Sequence, residues 1–186
     1  FMDYLKPTPI TCSPLSDATW GVAGVLPRDL CNGIESAKGK AVPPEWHYWD
    51  GQIIRAKDGK YHLFHSTWLA SIGFNPGWQS SDAYHSVSEQ GVLGPYQRKD
   101  YVYTNNGSHK GHNVTALELQ DGSYAVVVGE VVPLAIYKSS SLDGPWTACS
   151  PNSQVGGSNV SIFQRHDGKF QIVERHGQIA ISDTLC

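Results

Sequence analysis

The sequence predicts an all-β fold, a β-propeller built from four-stranded antiparallel blades, and three observations predict it. Asp-Gly pairs recur at 58–59, 121–122 and 167–168, each between two short β-prone runs, as tight hairpins with positive φ require. A third β-prone run follows each hairpin: Tyr84 to Ser88, Ala135 to Ser140 and Gln178 to Asp183. After the first two copies comes a Gly-Pro-aromatic unit, Gly94-Pro95-Tyr96 and Gly144-Pro145-Trp146, which opens a fourth strand. Strand, turn, strand, loop, strand, Gly-Pro-aromatic is the order of a propeller blade, and its repetition is the sign of a radial array.

The first copy begins at Gly51, the second at His112 and the third at Ser158, the last stopping at Cys186, so residues 45–186 cover about three blades of one catalytic domain. Three blades leave a bare sheet edge, which folded proteins avoid. The remaining blades are therefore expected from the rest of the protein or from another chain. A sandwich made of the same hairpins is the structural alternative.

Residues 1–44 read as an irregular segment, broken by Pro7, Pro9, Pro14, Pro27, Pro43 and Pro44, with Thr19 to Leu26 as its one candidate strand. The 186-residue chain suffices for one domain with a sizeable core. A net charge of -3 with no basic run argues against nucleic acid as a partner. No apolar run reaches membrane-spanning length. The opening FMDYLKPTPI lacks the basic start and apolar block of a signal peptide; the expectation is that one has been removed or that the coding start is missing. The four cysteines permit two disulfides in three connectivities, with Cys12–Cys31 the first choice, or free buried thiols.

The stretch from Tyr61 to His85 is where chemistry is expected. Its two aromatic runs flank a Gly- and Pro-containing loop, Gly73 to Trp78, and if they pair antiparallel His65 and His85 become cross-strand neighbours. The competing reading is a pair of satisfied, half-buried core histidines. Aligning the repeats sets His65 level with Val128 and Glu174, and His85 level with Tyr137. The pair is thus confined to the first blade, and scaffold alone does not explain it. At the starts of the inner strands stand His112 with Asn113, Asn159, and His47-Tyr48-Trp49-Asp50, polar groups suited to a polar ligand or simply to a solvated channel. Trp46, Tyr48, Trp49, Trp68 and Trp78 cluster around the first blade; Trp68 and Trp78, beside the loop, are the candidates for stacking on sugar rings. Tyr96 and Trp146 recur with the Gly-Pro unit and read as core. His166, His176 and Cys186, with Asp183, are candidate ligands of a structural zinc or calcium ion; no cofactor is expected for the chemistry.

Four segments carry a resemblance: Asp58 to Trp68, Phe74-Asn75-Pro76-Gly77-Trp78, His85 to Ser88 with Gly94-Pro95-Tyr96, and Gly111-His112-Asn113. Over residues 45–186 the chain resembles polysaccharide lyases of the ulvan-lyase type, with the related rhamnose–glucuronate lyases and propeller α-L-rhamnosidases. The resemblance implies a ring of about seven blades when complete. It also implies β-elimination between rhamnose and glucuronate or iduronate in an ulvan-like sulfated polymer, leaving a 4,5-unsaturated uronate. That reaction needs a neutralised carboxylate, a base for the C5 proton and an acid for the leaving oxygen. By resemblance His85 and Tyr137 supply base and acid, and His65 with Arg175 meets the carboxylate. Arg165 is the second choice of arginine, and His112 with Asn113 an alternative neutraliser. A secreted or periplasmic location follows from such a substrate. The competing readings are a propeller glycoside hydrolase, which needs two carboxylates and has Asp50, Glu45, Glu118 and Glu130 to draw on without an obvious pair, and a non-catalytic sugar-binding propeller.

Overall fold

The computed structural model describes residues 34–35, 41–42, 46–72, 74–92, 96–104, 111–129, 134–149 and 159–186. The Thr19–Leu26 strand, the Cys12–Cys31 pair, Glu45, Glu130 and the Gly94-Pro95 unit lie outside them. Within the proline-rich segment, β1 (Ile34–Glu35) and β2 (Ala41–Val42) pair as a small antiparallel ribbon.

Three antiparallel sheets follow. The first contains β3 (Trp46–Arg55), β4 (Tyr61–Leu69), β5 (Asp82–Ser88) and β6 (Gln97–Tyr103), in that spatial order. The second contains β7 (Val114–Glu118), β8 (Tyr124–Val128), β9 (Ala135–Ser139) and β10 (Thr147–Cys149), again in order. The third has β11 (Ser161–Gln164), β12 (Phe170–Val173) and β13 (Ile179–Ser182). These are two four-stranded propeller blades and three strands of a third, as the repeat predicts. The Asp-Gly pairs sit at the β3–β4, β7–β8 and β11–β12 turns, and Gly59, Gly122 and Gly168 have φ of 90°, 80° and 84°. The loop expected at 73–78 holds a short helix, α1 (Phe74–Gln79).

Blade packs on blade through two separate apolar layers. Phe64 and Ala83 of the first blade meet Val114, Ala116, Val126 and Val128 of the second. The opposite face of the second blade, with Ala125, Val127 and Ile136, meets Val160, Ile162 and Phe170 of the third. The alternation of strand side chains makes this possible: β8 is apolar at every position, because neighbouring residues enter different layers. Tyr96 is buried and Trp146 packs edge-on against Phe64, both as core.

The register corrects two expectations. His65 is opposite Tyr84, and His85 is opposite Phe64. Successive strand residues point to opposite faces, so His65 and His85 lie on different sides of the first blade and are not a pair. The equivalence of Tyr137 with His85 is also one residue out. Phe64 and Val127 both face the following blade; their partners are His85 and Ile136, whereas Tyr137 pairs with Val126 and faces the first blade. A one-residue slip exchanges the faces of a strand.

Candidate functional site at the mouth of the inner strands

The innermost strands β3, β7 and β11 lie side by side across the blades. Each carries one residue with a left-handed backbone within it or just before it: Asp50 inside β3 (φ 41°), Asn113 immediately before β7 (φ 58°) and Asn159 shortly before β11 (φ 53°). Such values are uncommon outside glycine and concentrate where function or a bulge demands them. At Asp50 the cause is visible. The β3–β4 register shifts between Trp49 and Gln52, so Asp50-Gly51 forms a bulge. Gly51 has φ 125°, and a Cβ there would collide with the Phe64 carbonyl and the His65 backbone, so only glycine fits. The bulge turns the Asp50 carboxylate toward the second blade.

That carboxylate ties the mouth together. Ser66 Oγ donates to Asp50 Oδ1 at 2.8 Å, and the Asn113 backbone N–H donates to Oδ2 at 2.8 Å. The Asn113 side chain bridges onward. With its amide nitrogen turned to Asp50 it donates to Oδ2 at 3.1 Å, and its oxygen accepts from the Asn159 N–H at 3.2 Å, an orientation assigned from this network. Lost hydration is the largest influence on Asp50 and raises its pKa; the bonds from Ser66, Asn113 and Val114 and the nearby His112 act in the opposite direction. Crowded as it is by backbone, the side chain keeps an exposed edge. Beside it Trp49 is 48% exposed.

His112 is fully buried beneath Trp78, the rings stacked with centroids 4.4 Å apart. Its Nδ1 lies 3.2 Å from Ser81 Oγ, which donates to the Trp78 carbonyl at 3.1 Å, so Nδ1 carries the proton. Of the predicted substrate contacts, Asn113 is at the mouth, with Trp78 half-buried on top of His112 close by. Trp68 is corrected: it is 2% exposed, and Gly77 of α1 sits so tightly on its indole that a Cβ would overlap the ring. It is core, not a stacking platform.

The predicted catalytic residues point in different directions. His65 is buried on the face turned away from the second blade, with Nδ1 3.1 Å from the Ser66 carbonyl and Nε2 2.9 Å from Ser86 Oγ. His85 is buried between the first two blades, stacked on Phe64, with Nε2 2.9 Å from Nδ1 of His62, the partner that sequence reading missed. Tyr137 is half-buried in the same layer, edge-on to Tyr103, its hydroxyl pKa raised by burial. Arg175 is exposed in the β12–β13 turn against His176, and Arg165 pairs with Asp167 at 3.1 Å in the β11–β12 turn. The predicted metal set is also corrected. Cys186 forms a disulfide with Cys149, which removes it as a ligand; His166 is exposed, and His176 pairs with Glu174 at 2.9 Å.

No family model matches the chain, and no curated protein matches its sequence. Several solved structures share its fold. A family 117 glycoside hydrolase from the marine bacterium Zobellia galactanivorans superposes with a TM-score of 0.54 at 14% identity, over 75% of this chain and 53% of that one. An exo-β-1,3-galactanase from Phanerochaete chrysosporium gives 0.53 at 12% identity, over 77% and 34%. An inulosucrase from Halalkalicoccus jeotgali gives 0.50 at 10% identity, over 73% and 41%. The chain therefore spans about half or less of each of these structures, and the likeness shows the β-propeller fold.

Proposed function

We propose that this chain is part of a propeller enzyme that cleaves glycosidic bonds in a polysaccharide, with its reacting centre at the mouth around Asp50. The observation that carries this reading is Asp50 itself: a carboxylate aimed by a bulge, held by groups from two blades, with its pKa raised and one edge open beside an exposed tryptophan. A carboxylate of raised pKa, oriented by fixed donors, is suited to take a proton from a reacting group. Trp49 supplies a flat apolar face for a sugar ring. The fold shared with a family 117 glycoside hydrolase and an exo-β-1,3-galactanase supports a saccharide substrate. In hydrolysis Asp50 activates the attacking water while a second carboxyl group protonates the leaving oxygen. Glu118 is exposed at the opposite end of β7, away from this mouth.

The second reading is β-elimination at a uronate, in which Asp50 takes the C5 proton. It is favoured by the Asn113 amide beside Asp50, a donor placed to meet a substrate carboxylate. A polymeric substrate implies a secreted or periplasmic enzyme, and the Cys149–Cys186 disulfide fits an oxidising compartment.

The test is to incubate the complete protein with ulvan and with neutral galactans and xylans, following reducing ends and ultraviolet absorbance together. Reducing ends without absorbance support hydrolysis; absorbance from a conjugated uronate supports elimination instead. Asp50→Asn keeps an oxygen for the Asn113 N–H but removes the base, and should lower kcat by at least about 100-fold. Full activity in that variant would move the reacting centre elsewhere.

A further inference from the structure

A second cluster of chemically capable side chains lies in the layer between the first two blades, apart from the mouth. His62 and His85 project from the first blade into this layer, 3% and 1% exposed, with their rings nearly parallel at 10°. Asp143, in the turn between β9 and β10 of the second blade, brings its carboxylate over them, with Oδ1 3.9 Å from His62 Nδ1. One ligand atom from each of the three residues lies within 4.8 Å of the other two. We infer that His62, His85 and Asp143 form a zinc site that bridges the first and second blades.

The donor set and its spacing carry the inference. Two imidazole nitrogens and a carboxylate oxygen are ligands that zinc accepts in tetrahedral sites, with a fourth position left for water. Bonds of about 2.0–2.1 Å place tetrahedral donors roughly 3.3 Å apart. The His62–His85 separation of 2.9 Å must open by about half an ångström, and the 3.9 Å His62–Asp143 gap must close by about as much, both within side-chain rotation. Only one proton fits between Nδ1 of His62 and Nε2 of His85; when zinc binds, the ring that carries it takes up its other neutral tautomer, with the proton on the remote nitrogen, so that both lone pairs meet the metal and each imidazole stays neutral. The ring of His85 is fixed by stacking on Phe64, with centroids 4.8 Å apart, which holds Nε2 toward the site. The carboxylate arrives from the exposed side, where the ion can enter and keep a water. This site replaces the one that the sequence suggested at His166, His176 and Cys186, and it is independent of any role for Asp50.

Complete protein stripped with a chelator is titrated with zinc by calorimetry and with cobalt(II) by visible absorption. One equivalent should bind, the cobalt form should show the intense bands of a tetrahedral site, and zinc should raise the melting temperature. Asp143 is exposed, so Asp143→Asn should fold normally and weaken binding at least about tenfold, which is the smaller loss known even for second-shell changes. His62→Gln should abolish the cobalt bands, whereas His176→Gln, at the exposed His176–Glu174 pair, should leave them unchanged. Absence of stoichiometric binding, or binding that Asp143→Asn and His62→Gln leave unaltered, overturns the inference and leaves a hydrogen-bonded core pair.

Discussion

His65 has every polar atom of its ring engaged, and that engagement fixes its charge. Nδ1–H donates to the Ser66 carbonyl and Nε2 accepts from Ser86 Oγ, while burial, ahead of the nearby Arg98, pushes its pKa down to about 4. In the unfolded chain the ring titrates near 6.5, so below that pH the unfolded state binds more protons than the folded one. Stability from this group is therefore complete above about pH 6.5 and is lost as the pH falls toward 4, by about 3 kcal/mol in all. Urea unfolding at pH 7 and pH 4 should show that loss in the native protein and a smaller one in His65→Gln; parallel pH curves would sink the assignment. The sequence made this histidine conspicuous, but not its surroundings. Spacing alone could not tell a cross-strand pair from two residues on opposite faces, and a shift of a single residue decided it. The same slip hid His62, which reads as an ordinary strand residue until the register places it beside His85.

At the scale of the element, the bulge in β3 is what separates the candidate site from plain scaffold. Asp50-Gly51 is one of five Asp-Gly pairs in the sequence, and it looks like the three that close the β3–β4, β7–β8 and β11–β12 hairpins. Here it lies inside a strand, because the β-prone run continues on both sides from Trp46 to Arg55. Gly51→Ala combines a disallowed backbone angle with a collision against Phe64 and His65 backbone, and should cost about 2–4 kcal/mol and displace Asp50. Thermal melts and activity measured together test this: a variant of normal stability would mean that the bulge is free to relax. The hairpins, the third strands and the Gly-Pro-aromatic core were legible because their turn chemistry is local. The bulge and the helix over Trp68 were not, since each exists only because a neighbouring strand or ring approaches closely.

At the scale of the whole molecule, the second blade is apolar on both faces and serves as the common wall of two layers. Its outer strand is tied beyond the third blade by the Cys149–Cys186 disulfide, which closes a loop of 37 residues. Loop closure of that length stabilises by about 4 kcal/mol on the chain-entropy account, so replacing both cysteines with serine should lower the unfolding free energy by an amount of that order. A loss of under about 1 kcal/mol in denaturant titration would show that the blades hold together without the tether. The blade repeat was evident in the sequence; the order of burial across it was not, because each face depends on which blade stands beside it. The chain of contacts at the mouth carries a further consequence. Asp50 takes one bond from Ser66 of its own blade and the others from the start of the next, and Asn113 reaches on to the third. A small rotation of any blade about the channel axis lengthens one of these bonds and changes how tightly Asp50 holds a proton. The acidity of that single carboxylate is thus a gauge of how closely neighbouring blades sit against one another.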